Sequence, residues 1–313
     1  MRKLTSKEIK EFASKPLFDE KVILNKDPSW PKISIVTPSL NQGRFLERTI
    51  LSVLNQNYPN IEYIIIDGGS TDDSVEIIKK YEKYLAYWVS EKDRGQAEAL
   101  NKGFARATGD LRAWLNADEE YLPSVFRCVA EKYEGANEPL TVIYGDRYVV
   151  NGMNSSVRCL QKIPKLNPFH YMLYTGGSLF SDATFWTAKI HEVLGCINED
   201  YMWCAMDVEW LLRVVGVARR FIHMGRPLSI FKEHPGRMTH KAIMQGIRLN
   251  ESIRRQFCKE HGIGTSKLAI GWLWFGLRLR VMNYGWRGLM KPPNWKTIRE
   301  LFWGYRKQRY KAL

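Results

Sequence analysis

Two stretches decide the architecture of this chain: Ile33-Ser34-Ile35-Val36-Thr37-Pro38-Ser39 and, a helix's length further on, Tyr63-Ile64-Ile65-Ile66-Asp67-Gly68-Gly69-Ser70. Each is a short apolar run rich in β-branched residues that breaks off in small polar ones, the pattern of a buried strand. Pro38 reads as the stop of the first. Between them Phe45, Leu46, Thr49, Ile50, Val53 and Leu54 fall on one side of a helix. The alternation continues with a helix over 74–84, a strand over 86–89 and an Ala-rich helix over 95–107. A strand over 111–115 follows, ending in Asn116-Ala117-Asp118-Glu119, and then a strand over 141–144 before Gly145-Asp146. Strands and helices in this order predict βαβ units and a mostly parallel sheet. Ligands of such sheets sit beyond the carboxyl ends of the strands. The polar clusters at 37–39, 67–70 and 116–119 all fall there.

Residues 147–200 read as less regular. A helix is expected over 201–217, with Met206, Trp210, Leu211 and Val214 on one side, and a basic helix over 241–260. Residues 265–285 are apolar and basic together, with Trp272, Trp274, Phe275, Arg278 and Arg280. Residues 1–31 read as an extension with a short helix near 6–13 and a linker at 27–31. The expected domains are therefore 1–31, 32–240 and a basic, aromatic-rich helical region over 241–313.

Of 313 residues, 45% are hydrophobic and 26% charged, which is a globular composition and argues against wholesale disorder. The longest apolar runs fall short of the roughly 20 residues that span a bilayer. The first residues have no apolar core after their charges, so no secretory signal is expected. Five cysteines without a CxxC pair disfavour both a disulfide framework and a thiolate zinc site, and suit a reducing, cytoplasmic compartment. The net charge of +14 is uneven: residues 241–313 carry 16 Lys and Arg against 3 Asp and Glu, a balance of +13. A basic segment on a neutral body expects an anionic partner.

The usual nucleotide fingerprints, GxxxxGK[ST] and GxGxxG, are missing, as are HExxH and GxSxG. The main chemical signal is the acidic strand end. A carboxylate such as Asp118, where a strand runs out, suits Mg²⁺ or Mn²⁺ shared with substrate phosphates; taken alone, it reads as a turn or a helix cap. On spacing alone Asp207 is a helix-start residue or the ion-pair partner of Arg213, and His234 a packing or surface residue.

Taken in order, these motifs resemble those of the family 2 glycosyltransferases, which have the GT-A fold. The matching segments are 34–39, 66–72, Asp93-Arg94-Gly95-Gln96, Ala99-Leu100-Asn101-Lys102-Gly103, Trp114-Leu115-Asn116-Ala117-Asp118-Glu119, Ala183-Thr184-Phe185-Trp186 and the run 205–213. The resemblance ends near His234 and covers about two thirds of the chain. It implies that Thr37, Pro38 and Ser39 line the base and ribose of a nucleotide sugar, partly through backbone groups. It implies that Asp67 accepts hydrogen bonds from the base, and that Arg94 and Gln96 face the nucleotide, Arg94 also neutralising diphosphate charge. Asn116-Ala117-Asp118 takes the place of the DxD motif, with Asn116 and Ala117 at the nucleotide sugar and Asp118 on the metal, Mn²⁺ or Mg²⁺. Asn116 replaces an acidic residue, as in many relatives: its amide still bonds a ribose hydroxyl but adds no charge. Asp207 matches the family's catalytic base, with Met206 in the place of a Glu. Glu209, about 200° further around the helix, is the weaker candidate. His234 lies where some relatives place a histidine near the diphosphate or metal, and Gly176-Gly177 and Asp146 either border the region of an acceptor or serve in turns.

The implied reaction is inverting sugar transfer from a UDP-, GDP- or dTDP-sugar to a carbohydrate hydroxyl. A bacterial surface polysaccharide or O-antigen pathway is the implied setting. In 265–313 the aromatic residues, with Trp286, Trp295 and Trp303, alternate with Arg and Lys. That suits a helix in a membrane interface, hence a lipid-linked saccharide acceptor and a peripheral place at the cytoplasmic face of the inner membrane. Packing on the catalytic domain is the alternative, and nucleic acid the least favoured partner. Two other classes stay open: a sugar-nucleotide nucleotidyltransferase, whose Gly-rich basic loop is missing after Thr37, and a non-enzymatic binder using the basic tail.

Overall fold

A computed structural model describes residues 6–134, 138–164, 167–175, 177–201, 205–235 and 243–264. After two short helices, α1 (Ser6–Phe12) and α2 (Glu20–Asn25), the chain enters the sheet at β1 (Ile33–Ser39). There follow α3 (Gly43–Leu54), β2 (Ile61–Asp67), α4 (Ser74–Tyr81), β3 (Tyr87–Ser90), α5 (Gln96–Phe104) and β4 (Leu111–Trp114). The second half holds β5 (Glu119–Tyr121), α6 (Val125–Glu134), β6 (Thr141–Asn151), β7 (Val157–Gln161), α7 (Pro168–Thr175) and β8 (Thr184–Thr187). It continues with α8 (Ala188–Leu194), α9 (Met206–Val217), β9 (Arg220–Glu233) and α10 (Ile243–Glu260).

The strands form one sheet in the order β3-β2-β1-β4-β8-β6-β9-β5, with β7 beside β6. The expected parallel arrangement holds from β3 to β4. Beyond β4 the sheet is mixed: β8 runs antiparallel to β4 and β6, and β5 antiparallel to β9, while β6 and β9 run parallel. All seven residues of β1 are buried, and β2 is buried but for Glu62, as expected of strands covered on both faces. Burying each Ile of these runs contributes about 1.5–3 kcal/mol. The six predicted core residues of α3 are all buried on the sheet.

Pro38 does not stop β1, which pairs with β2 as far as Ser39 opposite Asp67. The reason is directional. Ser39 O accepts the Gly68 N–H on the β2 side, whereas Val36 O accepts the Leu115 N–H on the β4 side. Pro38, in phase with Val36, turns its nitrogen toward β4, whose pairing has already ended at Trp114. The missing N–H costs no ladder bond there.

The region read as irregular, 147–200, contains the end of β6 together with β7, α7, β8 and α8. Its motif Ala183-Thr184-Phe185-Trp186 is core: Ala183, Phe185 and Trp186 are fully buried, and Trp186 packs between Trp114 and Trp210. Ile253, Phe257 and Cys258 of α10 join the same core, and the buried Arg254 of α10 donates to Met172 O at 2.7 Å. The aromatic stretch 265–313, Gly176 and residues 202–204 lie outside the described residues, so the membrane reading of the tail falls there too.

Candidate functional site

Because β1, β2 and β4 run parallel side by side, their carboxyl ends open on one edge. At the end of β1 the buried Thr37 turns its hydroxyl inward, 3.1 Å from the Tyr63 hydroxyl, and its backbone lies in the ladder with β2. Ser39 is also buried, and its hydroxyl has no hydrogen-bond partner. A buried polar atom without a partner calls for a ligand or a water.

At the end of β2, Asp67 is fully buried. Its Oδ2 accepts from the Gly69 N–H (3.2 Å), the Ser70 N–H (2.8 Å) and the Ser90 hydroxyl (2.7 Å), and its Oδ1 from the Ser70 hydroxyl (2.6 Å). Three of these bonds fall on Oδ2 and one on Oδ1, so Asp67 builds the turn while Oδ1 keeps one acceptor site. Gly68 lets Asp93 approach closely: an added Cβ would lie 2.6 Å from Asp93 Oδ2 and push that carboxylate aside. Burial pushes the Asp93 carboxyl above the usual carboxylate range.

Arg94, expected to face the nucleotide, is an exposed side chain paired with two carboxylates. Two carboxylates lie within its reach: its Nε donates to Glu98 Oε2 at 2.8 Å and its Nη2 to Glu199 Oε2 at 2.5 Å. The Arg94 side chain in turn holds the Glu98 carboxyl down to about 2. Gln96 Nε2 donates to Asn116 Oδ1 at 2.5 Å, which joins two residues expected at the nucleotide sugar.

The turn after β4 is fixed from below by α3. The Thr49 hydroxyl sits 2.9 Å from Ala117 O and 2.7 Å from Glu119 O, and Glu119 Oε2 accepts the Asn116 N–H at 3.2 Å. β5 then pairs with β9, Glu119 opposite Phe231. Extending that register brings Asp118 and His234 together on the diagonal. His234 Nε2 lies 3.0 Å from Asp118 Oδ2; both residues are buried, and the imidazole is tilted 4.5 Å from the Phe45 ring. The carboxylate oxygen and imidazole nitrogen are the donors that Mn²⁺ accepts. At 3.0 Å they hydrogen-bond each other, and the same two atoms would turn from each other to an ion. Among the described residues no three His, Cys, Asp or Glu side chains gather as a metal site. The donor set fits an ion that takes its remaining ligands from phosphate and water.

Directly behind this pair is a buried network that had no place in the sequence reading. Glu120 receives Arg48 by two bonds, of 2.7 and 3.0 Å, and lies 2.6 Å from Lys232 Nζ. Glu120 and Lys232 are both buried. The available signal was the strand period: Lys232 and His234 share one face of β9.

Asp207 stands in the first turn of α9, its Oδ1 accepting the Val208 N–H at 2.9 Å. Arg213 pairs with Glu209, not with Asp207: Nε to Oε1 is 2.7 Å and Nη2 to Oε2 is 3.0 Å. The four-residue spacing puts Glu209 and Arg213 on one helix face.

A GT-A α/β protein with a carboxylate–imidazole pair at its strand ends is the class that this fold and site define. The family described as Glycosyl transferase family 2 matches residues 34–194, and the chain belongs to that family; by family it is a glycosyltransferase. An uncharacterised glycosyltransferase of Mycobacterium tuberculosis is 33% identical over 189 residues, which is 59% of this chain and 69% of that protein. TuaG of Bacillus subtilis, named for teichuronic acid biosynthesis, is 38% identical over 96 residues, 29% of this chain and 37% of its own length. Among solved structures, residues 1–349 of Staphylococcus aureus TarS with UDP-GlcNAc superpose with a TM-score of 0.55 at 16% identity, covering 71% of this chain and 66% of that one. The Pyrobaculum calidifontis mannosyltransferase PcManGT with GDP-Man and Mn²⁺ gives 0.50 at 17% identity, covering 88% and 87%. At those identities the structures show the fold alone. Among the described residues no helix is long and apolar enough to cross a membrane.

Proposed function

We propose that the chain transfers a sugar, with inversion, from a nucleoside-diphosphate sugar to a carbohydrate hydroxyl on a surface glycan. The observation that carries this reading is the Asp118–His234 contact of 3.0 Å at the edge where β1, β2 and β4 end. The nucleotide lies along that edge, on the backbone of Thr37, Pro38 and the unpartnered Ser39 hydroxyl. Gln96 and Asn116 together present one amide edge to the ribose, and Ala117 keeps the turn narrow. TarS with UDP-GlcNAc and PcManGT with GDP-Man support a nucleotide-sugar donor on this fold.

Asp118 and His234 would hold Mn²⁺ or Mg²⁺, which when bound neutralises charge developing on the leaving diphosphate. Asp207 takes the proton of the acceptor hydroxyl as it attacks. Glu209 is committed to Arg213 and does not compete for that task. Because Arg94 is already paired with Glu98 and Glu199, diphosphate charge falls mainly to the ion. For the acceptor we propose a lipid-linked saccharide, with the basic aromatic stretch 265–313 meeting the anionic headgroups. TuaG's teichuronic acid name supports a cell-surface polymer.

Calorimetry tests the donor half of this reading. UDP-, GDP- and dTDP-sugars are titrated into the full chain with Mn²⁺ and again with EDTA. One nucleotide series should bind, and EDTA should weaken it at least tenfold. Absence of binding across all three series would remove the donor reading and favour a binding protein that works through its tail.

A further inference from the structure

We propose that Asn101 is a positioning residue that sets the Asp207 helix against the nucleotide edge; the inference rests on the donor reading above. The motif Ala99-Leu100-Asn101-Lys102-Gly103 lies in α5 and touches none of the groups assigned so far except through its neighbours. Asn101 Nδ2 donates to Ile197 O at 2.9 Å and to Glu199 Oε1 at 2.9 Å, and Asn101 Oδ1 accepts the Ile197 N–H at 2.8 Å. One side-chain amide thus satisfies both backbone groups of a residue whose side chain is buried, as a strand neighbour would.

The same stretch is held from its other side by α9. Arg213 Nη1 donates to Leu194 O at 3.2 Å and Nη2 to Cys196 O at 3.1 Å. Residues 194–199 are therefore a strap fastened to α5 by Asn101 and to α9 by Arg213. Asp207 lies six residues before Arg213 on α9, roughly 9 Å along the axis.

α5 is itself locked to the donor edge. An added Cβ on Gly103 would lie 2.3 Å from Val36 Cγ1 and 3.4 Å from Ile66 Cγ1, so the helix lies directly on β1 and β2. Lys102 pairs with Glu91 at 2.7 Å and Glu98 at 3.2 Å, and Gln96 bonds Asn116. The edge that takes the nucleotide and the helix that carries the base are joined at this amide, beside the Arg94–Glu199 pair and the Phe104–His191–Trp210 contacts. Displacing a catalytic group by about 1 Å can cost about 100-fold in rate without touching the chemistry itself.

The test compares two amide clamps in the full chain. Asn55 binds backbone in the same way at the opposite end of α3, accepting from the Leu17 N–H at 2.8 Å and donating to Lys15 O at 3.0 Å. Asn101→Ala should lower kcat at least tenfold, with donor KM and donor Kd within about twofold of wild type. Asn55→Ala should lower the melting temperature with kcat within about twofold. Arg213→Lys, which keeps the charge but loses the fork, should repeat the kcat loss. A drop in kcat no larger for Asn101→Ala than for Asn55→Ala would overturn the proposal.

Hydrogen exchange reads the strap without turnover, and so separates this idea from the donor reading. Asn101→Ala should speed exchange in both 194–199 and 206–213. Faster exchange confined to 194–199 would overturn the coupling even in a chain that binds no nucleotide.

Discussion

His234 Nε2 stands 3.0 Å from Asp118 Oδ2, a contact between residues 116 positions apart in the chain. It exists because β5, only three residues long, pairs antiparallel with the far end of β9. The turn that presents Asp118 is anchored by Thr49, and the imidazole is backed by Phe45, so α3 supports both members of the pair.

If these two residues share a divalent ion, neither alone is enough. Asp118→Asn and His234→Ala should each weaken Mn²⁺ binding in the presence of nucleoside diphosphate by more than tenfold. Titration followed by the Mn²⁺ paramagnetic signal checks this. Affinity unchanged in either variant would place the ion elsewhere.

The two acidic residues at the start of α9 should separate cleanly. Asp207→Asn should lower kcat by about 10²–10⁴, the usual contribution of a general base, with donor Kd nearly unchanged. Glu209→Gln releases Arg213, and should show mainly as a lower melting temperature. Steady-state kinetics beside thermal unfolding distinguishes the two.

The network of Glu120, Arg48 and Lys232 sets one carboxylate against two cations in the interior. Removing the carboxylate breaks the buried pairs it makes with Lys232 and Arg48, and breaking such a pair costs about 3–5 kcal/mol. Glu120→Ala should therefore lose that much stability in urea unfolding. Glu120→Ala combined with Lys232→Met should recover part of it, since an apolar replacement removes the buried ammonium.

His191 is wedged beside Phe104 and Trp210, its Nδ1 buried without a partner. Burial, with Arg112 and Arg213 near, lowers its pKa from the ordinary 6.5 to about 4. Between these values the unfolded chain binds more protons than the folded one. Stability contributed by neutral His191 is therefore complete above pH 6.5 and declines as pH falls toward 4. The loss is on the order of 2–3 kcal/mol at one unit of pKa per 1.36 kcal/mol. His191→Phe should flatten this part of the acid limb, measured by urea unfolding at pH 7 and pH 4.5.

Much of this site is legible in one sequence because local patterns carry it. The parallel half of the sheet follows from apolar runs that end in polar clusters, and α3 from its 3.6-residue period. Asp118 and Asp207 stand at a strand end and a helix start, where spacing alone reads a turn and a cap, and it is the order of the family's motifs that singles them out. What the sequence does not display is pairing between distant elements. Nothing local says that β5 will meet β9, that Arg94 will turn to Glu199, or that Asn101 will grip Ile197 across 96 positions. The same limit explains Pro38, which reads as a strand stop until the early end of the β4 pairing is seen. The stretch 147–200 reads as irregular because β7 and β8 are short and neither alternates: β8 is buried throughout and β7 has no buried residue.

The most direct test of the account is release of nucleoside diphosphate from a donor sugar. The full chain is assayed with the nucleotide series that binds, in Mn²⁺, in Mg²⁺ and in EDTA, beside Asp118→Ala. The account predicts turnover by the wild type with a divalent ion, abolished by EDTA and by Asp118→Ala. Turnover that persists undiminished in both would contradict it, because catalysis would then not run through the edge where Asp118 meets His234.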